Sequence, residues 1–575
     1  MSTQRSPRSS EPPSPPFPGR WAGPVVGLLV VGAALGTAQL AAAVVRASSP
    51  VVAVGDAVVD LSPTWLVETA IGLFGTADKA VLLAGVVVLL ALSGCALGTV
   101  ALRRPAAGYA GLAVFAAAGL AATWVRRADD PGAALPVVCA ALAGAAALAV
   151  LLRSLGGPTA GSSAGPGAGE VEDRGADAAA GESGAGGGDG TGERAEPEGT
   201  GGRSGTDGAG EAAAGTAPTG TGRRFVLTAA GVLAASGAAG ALGLRLPSLL
   251  GGPAGQPALA LALPAAAEPL PALPAGTDLG IPGLAPFTTP ADDFYRIDTA
   301  LSVPRIDASQ WVLRIHGMVD RPFEIDMDEL LGLPLVEADI TLSCVSNPVG
   351  GQLVGNTRWL GHPLADLLRR AGVHAGADQI LSTSQDGWTC GTPTETVMDG
   401  RDALLAVGMD GRPLPYEHGF PARMIVPGLF GYVSATKWVT DIKLTRFADE
   451  DAYWVDRGWA ERGPVKTMSR VDVPGDFTRT AAGDVVLAGV AWSQHTGIEA
   501  VEVRVDDGEW RPAELARVPG PDTWVQWVAE TRVGPGMHAV EVRATDATGY
   551  TQSSEEVETI PDGAEGRHRI RFTAE

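Results

Sequence analysis

The first 250 residues form long apolar runs separated by short polar breaks, whereas the remainder shows the shorter patterns of a folded soluble region. A helix needs roughly 20 apolar residues to cross a bilayer. Four such runs precede residue 155 and a weaker fifth comes later: Ala22–Val45, Ala80–Leu102, Tyr109–Val125, Ala133–Leu152 and Phe225–Leu244. Long uncharged runs favour membrane spans over core helices. The pattern predicts all-α transmembrane helices, four of them in residues 1–154.

Residues 51–75 are also apolar, but they carry Asp56, Asp60, Glu68 and Pro63, so we expect them at the outer membrane interface. Lys and Arg near the ends of spans set orientation. We place on the cytoplasmic side the cations before the first span, those between the second and third spans and those on either side of the long linker. They are Arg5, Arg8, Arg20, Arg103, Arg104, Arg153, Arg223 and Arg224. The opposing loops carry Arg46 and Lys79, then Arg126 and Arg127 offset by Asp129 and Asp130. Five spans then place residues 251–575 outside the cytoplasm, in a multi-pass protein of the cell membrane.

Three segments connect the four N-terminal spans to the C-terminal half of the chain. Residues 155–222 are rich in Gly, Ala and acidic residues, a composition typical of a disordered cytoplasmic linker. Residues 223–250 begin with Arg223-Arg224-Phe225, so they are either a fifth membrane anchor or an internal twin-arginine export signal. Residues 251–290 are rich in Pro and Ala and predict an extended tether.

Beyond residue 290 the pattern changes to mixed strands and short helices. A strand is predicted at Trp311–Val319, with short helices at Asp326–Leu331 and Pro363–Ala371. The last quarter is rich in strands with turns between them: Val485–Val490, Glu499–Val505, Thr523–Val528 and His538–Ala544. We therefore expect an α+β domain at 291–449 and a β-sandwich at 450–575.

Charge separates the same regions. The chain has 575 residues and a net charge of −22, of which −18 lies in residues 291–575 and −8 in residues 155–221, leaving +4 elsewhere. An acidic surface argues against nucleic-acid binding. Four Cys without a C-x-x-C pair exclude a disulfide scaffold and predict no iron–sulfur cluster. All seven His lie at or beyond residue 316, so we predict no haem among the spans.

A lone cysteine, Cys344, ends a predicted strand and precedes a loop rich in Gly, Asn and Pro, in the run Ile340-Thr-Leu-Ser-Cys-Val-Ser-Asn-Pro-Val-Gly-Gly. Such a cysteine is well placed to present a thiolate to a soft metal. On this motif alone, a buried structural cysteine is the more ordinary interpretation.

Further motifs come after it in a set order: Asn356-Thr-Arg-Trp-Leu-Gly-His-Pro-Leu, Leu404-Leu-Ala-Val-Gly-Met-Asp-Gly-Arg-Pro-Leu-Pro, His418-Gly-Phe-Pro-Ala-Arg-Met-Ile-Val-Pro-Gly and Lys437-Trp438. With Cys344 they closely resemble the molybdopterin domain of the sulfite oxidase family. The later run Gly489-Val-Ala-Trp-Ser and the segments around Trp510, Trp527 and Asp546 are similar to that family's immunoglobulin-like dimerisation domain. The resemblance covers about residues 291–572.

The resemblance implies a molybdenum centre bound by one pterin dithiolene and by the Cys344 thiolate, which makes Cys344 both the metal ligand and a catalytic residue. It implies that the anionic pterin is bound by cations and hydroxyl groups: Tyr295, Arg296, His418, Arg423, Ser434, Thr436 and Lys437. Arg296 lies in the element matching the family's pocket mouth, where it binds an oxyanion substrate or the pterin. For Arg296 and Arg423 the alternative interpretation is an ordinary ion pair. For Lys437 it is a solvated cation.

The chain departs from the family around the substrate. Sulfite oxidases follow the ligand cysteine with Ala-Gly-Asn-Arg-Arg, where this chain has Val345-Ser-Asn-Pro-Val, and Ile297-Asp298 replaces Asn-His. The family's active-site Tyr aligns with Cys390 or a neighbour, and no Arg precedes Gly566 in Thr559–Arg567. Sulfite needs several charge-assisted bonds, so these losses argue against efficient sulfite binding.

We therefore expect an outward-facing, membrane-anchored molybdopterin oxidoreductase that transfers an oxygen atom and exchanges electrons with a separate carrier, such as a cytochrome c. An acidic catalytic half favours a basic carrier. A sulfoxide reductase of the same superfamily and a non-catalytic surface binding module are the alternatives. The resemblance also implies a homodimer.

Overall fold

The computed structural model describes residues 21–45, 49–62, 78–127, 131–155, 220–249 and 261–575. Of the predicted disordered linker at 155–222, residues 156–219 lie outside the described residues, whereas residues 155 and 220–222 are helical. The cations before residue 21, the outer-interface residues 63–75 and the start of the tether also lie outside the described residues. The N-terminal part is helical, with α1 Ala22–Val45, α2 Pro50–Leu61, α3 Asp78–Arg103, α4 Pro105–Arg127, α5 Leu135–Leu155 and α6 Gly220–Leu249.

Five of these helices are long and apolar enough to cross a membrane, and they correspond to the five predicted runs: Ala22–Val45, Val81–Arg103, Pro105–Thr123, Leu135–Leu155 and Arg223–Leu246. Helix α1 lies at the centre of the group and packs against α3, α5 and α6. Glycines allow the close approach, because a side chain at Gly27 would collide with the main chain of Gly94 in α3. Gly36 likewise faces the main chain of Ser236, so the weaker fifth run joins the same bundle.

The part of the chain from residue 312 to residue 445 contains two five-stranded sheets. Its strands are β1 Val312–Gly317, β2 Phe323–Asp326, β3 Val336–Ser343, β4 Val354–Pro363, β5 Gln379–Ser384, β6 Thr389–Pro393, β7 Leu404–Met409, β8 Arg412–Pro413, β9 Arg423–Ile425 and β10 Val439–Thr445. Its helices are α7 Met327–Gly332, α8 Leu364–Ala371 and α9 Thr394–Met398. One sheet has the order β2-β1-β10-β5-β6, and the other β3-β4-β7-β8, with β9 also paired to β7.

Local chemistry sets the bounds of these elements. Helix α7 begins after Asp326, whose carboxylate accepts a hydrogen bond from the Glu329 N–H at 2.8 Å. Helix α8 ends at Gly372, which adopts a left-handed conformation with φ 73°. Hydrophobic residues from both sheets and from the helices, such as Ile315, Leu368 and Ile442, form one core between them.

The last part of the chain consists of two packed sheets. The strands are β11 Met468–Val473, β12 Arg479–Thr480, β13 Gly483–Trp492, β14 Ile498–Val505, β15 Arg511–Pro512, β16 Glu514–Leu515, β17 Val525–Val533, β18 Gly536–Asp546 and β19 Arg569–Ala574. The sheet orders are β11-β13-β17-β16 and β12-β19-β18-β14-β15. One core is shared by both sheets, with Trp527, Val542 and Phe572 buried between them. The predicted strand-rich region is thus present, and its immunoglobulin-like identity stays a prediction.

The segment before β1 contacts two parts of the chain: the part formed by β1–β10 and the strand-rich part formed by β11–β19. These are called the two halves. Residues 261–290, which we expected to be an extended tether, contain no helix. Phe287 is buried between the two halves, and its carbonyl accepts hydrogen bonds from Asn356 Nδ2 at 3.0 Å and Trp524 Nε1 at 2.9 Å. This segment therefore helps to fix the orientation of the strand-rich part relative to β4.

Strand β3 is also held from the strand-rich part. The Thr341 N–H donates to the Asp522 carbonyl at 2.9 Å, and the Trp524 N–H donates to Thr341 Oγ1 at 2.8 Å. Gln494 Nε2 donates to the Thr341 carbonyl at 3.1 Å. The strand that ends at Cys344 is therefore fixed on one side by β4 and on the other by the second half of the region.

Candidate functional site

Cys344 stands directly after β3, as the sequence predicted, at the start of a tight loop. Its N–H donates to the Leu353 carbonyl at 2.9 Å, and the Asn347 side chain accepts from the Leu353 N–H at 2.9 Å. These bonds close the loop and fix the position of the sulfur. The residue is 9% exposed, and its Sγ lies 2.9 Å from the Ser346 hydroxyl oxygen.

The environment of the thiol acts on its protonation in two opposite ways. Burial raises the pKa of the Cys344 thiol, and the hydrogen bond with Ser346 opposes that rise. Positive charge at Lys437 also favours the thiolate. Burial and the nearby Cys344 raise the pKa of Tyr295, so its phenol stays protonated and remains a hydrogen-bond donor.

Arg423 begins β9 and is buried, with 4% of its surface exposed. Its NH1 donates to the His418 carbonyl at 3.0 Å, and its guanidinium lies 5.1 Å from the centre of the Trp359 ring. Among the described residues Arg423 pairs with no carboxylate, and its Nε has no hydrogen-bond partner. Burial lowers the pKa of Arg423 to about 10, so the group remains charged at neutral pH.

Lys437 precedes β10 and lies within electrostatic range of Arg423. Its Nζ donates to Asp298 Oδ2 at 2.9 Å and to the Glu417 carbonyl at 3.0 Å. Burial lowers the pKa of Lys437 to about 8, and Asp298 limits that fall. Burial alone would raise the pKa of Asp298, but Lys437, Arg296 and Lys79 hold it well below its usual range. The Arg296 Nε itself lies 2.9 Å from Asp298 Oδ2.

His418 packs edge-on against Phe294, with ring centroids 5.8 Å apart. Its Nε2 donates to the Ala291 carbonyl at 3.0 Å, which leaves Nδ1 as the acceptor of a neutral ring. Burial, Arg423 and Lys437 lower the pKa of His418 to about 4, so the ring is neutral at pH 7.

Gly419 lets these groups converge. Its φ is +109°, and a Cβ there would lie 3.1 Å from Arg423 Cβ and 3.2 Å from Lys437 Cα. The structure thus brings His418, Arg423 and Lys437 together, and Tyr295 lies within electrostatic range of both Arg423 and Cys344.

Two predicted hydroxyl groups are engaged inside the protein. Ser434 Oγ donates to the Phe430 carbonyl at 3.0 Å, and Thr436 Oγ1 lies 2.7 Å from Ser382 Oγ. Both residues are fully buried. Thr436 shares a buried polar cluster with Cys390, whose pKa is raised by burial.

Sequence reasoning missed three groups at this site. Asp298 stands at a departure from the family pattern, yet it is the carboxylate partner of Lys437, 139 residues away. Trp359 lies in one of the family's motifs, but its position against Arg423 has no local signal. Ser346 also stands at a departure position, and its spacing of two residues from Cys344 is the signal that points to contact.

Within the described residues, no group of three or more His, Cys, Asp or Glu side chains is arranged to bind a metal. A metal at this site would therefore need ligands from a cofactor or from solvent in addition to any protein ligand.

Comparison with known proteins assigns the region. Residues 300–454 match the family described as oxidoreductase molybdopterin binding domain. The chain is 31% identical over 157 residues to the uncharacterized oxidoreductase YuiH of Bacillus subtilis, covering 27% of this chain and 76% of that protein.

Longer relatives are matched in part. The chain is 33% identical over 333 residues to nitrate reductase [NADH] 1 of Oryza sativa, covering 46% of this chain and 36% of the relative. It is 28% identical over 260 residues to mitochondrial sulfite oxidase of Rattus norvegicus, covering 37% and 47%. The chain therefore spans less than half the length of either enzyme.

Among solved structures, the sulfane dehydrogenase SoxCD of Paracoccus pantotrophus aligns with a TM-score of 0.45 at 22% identity, over 50% of this chain and 84% of that one. The family match spans residues 300–454, a range that includes Cys344, His418, Arg423 and Lys437. The chain belongs to the sulfite oxidase family of molybdopterin oxidoreductases and is a molybdenum-dependent oxidoreductase.

Proposed function

We propose that the pocket between Cys344 and Arg423 binds the molybdenum cofactor, with the Cys344 thiolate as the protein ligand to the metal. The observation that carries this proposal is that Tyr295 lies within electrostatic range of both the buried Cys344 thiol and the buried Arg423 guanidinium, which has no carboxylate partner among the described residues. A buried charge is costly unless it is compensated. An anionic pterin phosphate supplies that compensation, and a soft thiolate suits molybdenum. The residues present therefore fit the cofactor.

Each residue then has a distinct task. Arg423 offers its unpartnered Nε–H toward the anion, and Trp359 holds the guanidinium plane. Lys437 adds a point charge, while neutral His418 offers Nδ1 as an acceptor. Tyr295 keeps its phenolic proton beside Cys344 and is available as a donor. When bound, the cofactor supplies two-electron oxygen-atom transfer, and the protein orients it and excludes water.

The structure supports a substrate other than sulfite. The loop Thr559–Arg567, in which the family carries a substrate-binding Arg, lies over the cysteine loop. A side chain at Gly563 would lie 2.8 Å from the Phe430 ring and 3.8 Å from Val345. No Arg precedes Gly566 in this loop, and Arg296 pairs with Asp298. This local charge balance favours a neutral oxygen donor such as a sulfoxide, and sulfoxide reduction is the second candidate activity.

Membrane anchoring and an outward-facing catalytic half belong to the same proposal. Five apolar helices support the anchoring. Lys79, predicted to lie outside, contacts Asp298 of the catalytic half at 2.8 Å, which supports placing that half on the outer side. Helix α6 packs on α1, which favours an anchor over a cleaved export signal at Arg223-Arg224. Electrons would pass to or from a separate carrier, for which the acidic half favours a basic protein.

Molybdenum quantification on the purified full-length protein tests the proposal. About one molybdenum per chain is expected from a one-ligand site. A dye-coupled assay with sulfite and with sulfoxides then separates the two reactions. A correctly folded, membrane-inserted protein that contains no molybdenum would instead support a non-catalytic binding module.

A further inference from the structure

One carboxylate joins the membrane helices to the cofactor pocket. Lys79, in the first turn of α3, donates from Nζ to Asp298 Oδ1, to the Asp298 carbonyl and to the Ala300 carbonyl, each at 2.8 Å. The other carboxylate oxygen, Oδ2, accepts from Lys437 Nζ at 2.9 Å. Lys79 and Lys437 thus bind opposite oxygens of one planar group.

This carboxylate is well shielded from solvent. The Asp298 side chain is 6% exposed and that of Lys437 10%, whereas that of Lys79 is 32% exposed. Buried charges hold their geometry only when each has its partners. Because a carboxylate is planar, fixing Oδ1 from the membrane side also orients Oδ2. A flexible lysine such as Lys437 depends on that orientation for its own position.

A second contact joins the same two parts of the chain without touching Asp298. Tyr453 Oη donates to Asp60 Oδ1 of α2 at 2.9 Å, and the Arg457 guanidinium lies 3.6 Å from the centre of the Tyr453 ring. Helix α2 also approaches Leu301 closely at Gly55. Docking of the catalytic half on the helices can therefore be disturbed at Asp60 while the bonds of Asp298 are kept.

We propose that Lys79 is a positioning residue for the cofactor pocket and acts on Lys437 through Asp298. The membrane helices then do more than anchor the enzyme, because they complete the set of contacts that holds a cofactor-binding cation. The proposal rests on the assignment of Lys437 to the cofactor. By linkage, cofactor binding then strengthens docking of the catalytic half to the helices by the same factor by which docking strengthens cofactor binding.

The test compares Lys79→Met, Lys79→Arg and Asp60→Asn in the full-length protein in lipid nanodiscs. Two quantities are measured: the rate of pterin and molybdenum release, and amide hydrogen exchange in residues 294–301, 436–440 and 452–458. Lys79→Met should release the cofactor about tenfold faster, the order of one charge-assisted hydrogen bond. It should also raise exchange at 436–440, and Lys79→Arg should restore most of both. Asp60→Asn should raise exchange only at 452–458.

Two outcomes would overturn the proposal that Lys79 positions Lys437 through Asp298. In the first, Lys79→Met raises exchange at 294–301 but leaves both the release rate and exchange at 436–440 as in the parent. In the second, Asp60→Asn accelerates cofactor release as much as Lys79→Met. Release would then depend on docking of the catalytic half as a whole and not on the contact between Lys79 and Asp298. A parent without molybdenum would refute the proposed function instead, and exchange at 436–440 would still decide whether Lys79 acts on Lys437.

Discussion

The sulfur of Cys344 lies 2.9 Å from the hydroxyl oxygen of Ser346, two residues further along the same loop. The family pattern has glycine at this position, so the contact belongs to this chain's own sequence. A hydroxyl at this distance stabilises a thiolate that burial would otherwise disfavour. The Ser346 hydroxyl therefore favours the thiolate form that the proposed metal ligand needs.

Replacing the ligand itself is the most direct test of the site. Cys344→Ser removes the proposed soft sulfur ligand. Replacing a residue that only supports a metal ligand already costs up to about 100-fold, so molybdenum-dependent turnover should fall by about 100-fold or more. Turnover per chain and molybdenum content are measured on the same sample. Cys139→Ser, in the apolar helix α5, is the matched control and should behave as the parent. Activity that survives Cys344→Ser would disprove thiolate ligation.

Ser346→Ala should make metal binding more sensitive to acid. Loss of the hydrogen bond should raise the pKa of Cys344 further, because that bond opposes the effect of burial. Because a thiolate ligand binds deprotonated, protons then compete better with the metal. The pH at which half of the molybdenum is lost should therefore move up. The exposed Ser309→Ala is the control, and an unchanged midpoint in Ser346→Ala would show that the contact is irrelevant to binding.

Arg423→Met tests the buried cation. Its loss removes one or two charge-assisted bonds to an anion, so cofactor affinity should fall about 10- to 100-fold. Arg423→Lys keeps the charge but loses the fork, and its affinity should lie between those of Arg423→Met and the parent. Pterin content is measured together with thermal unfolding, which identifies a variant that fails to fold. A folded Arg423→Met protein with full pterin content would rule out this role.

The pKa of Lys437 gives a pH dependence with a definite sign. Lys437 is charged below about pH 8 and neutral above it. A bound anion favours the charged form, so binding takes up a proton above pH 8 and affinity falls there by at most about tenfold per pH unit. Cofactor retention should therefore decline between pH 8 and 10 in the parent. Lys437→Arg stays charged and should lack this decline; equal losses in both proteins would exclude Lys437 as the cause.

The local elements of this fold were largely predictable from the sequence, because apolar periodicity and turn residues are local signals. The predicted strand Trp311–Val319 was too long, because Gly317 takes a φ of 91° and ends β1. The strand predicted from Thr523 begins at Val525 instead. The physical reason is that the Trp524 N–H donates to Thr341 in the other half.

Apart from Ser346, which lies two residues from Cys344, the parts of the site that were missed are long-range contacts. Asp298 and Lys437 are 139 residues apart, and no pattern along the chain reports that they meet. Cys344, His418, Arg423 and Lys437 were placed together by motif resemblance, since each motif lies at a strand end or turn. Their partners come from segments with no motif: Ala291 accepts from His418, and Lys79 reaches Lys437 only through Asp298.

The contact between the two halves predicts a further effect on the strand that ends at Cys344. Thr341 Oγ1 donates to Asn356 Oδ1 at 2.9 Å and accepts from the Trp524 N–H at 2.8 Å, all three residues being buried. Thr341→Val keeps the shape but leaves both partners without that bond, at about 1–3 kcal/mol for each unsatisfied group. Thermal unfolding of the loaded protein should therefore occur at a lower temperature.

The same change should reach the metal site, since β3 places the sulfur. Molybdenum release should be faster in Thr341→Val than in Thr478→Val, whose hydroxyl is exposed and bonds only to the nearby Gly475 carbonyl in the described structure. Release measured well below the unfolding temperature separates displacement of the sulfur from global unfolding. If Thr341→Val unfolds earlier but releases molybdenum at the parent rate, the second half stabilises the fold without positioning Cys344. If it both unfolds earlier and releases molybdenum faster, the strand-rich half is part of the structure that holds the ligand.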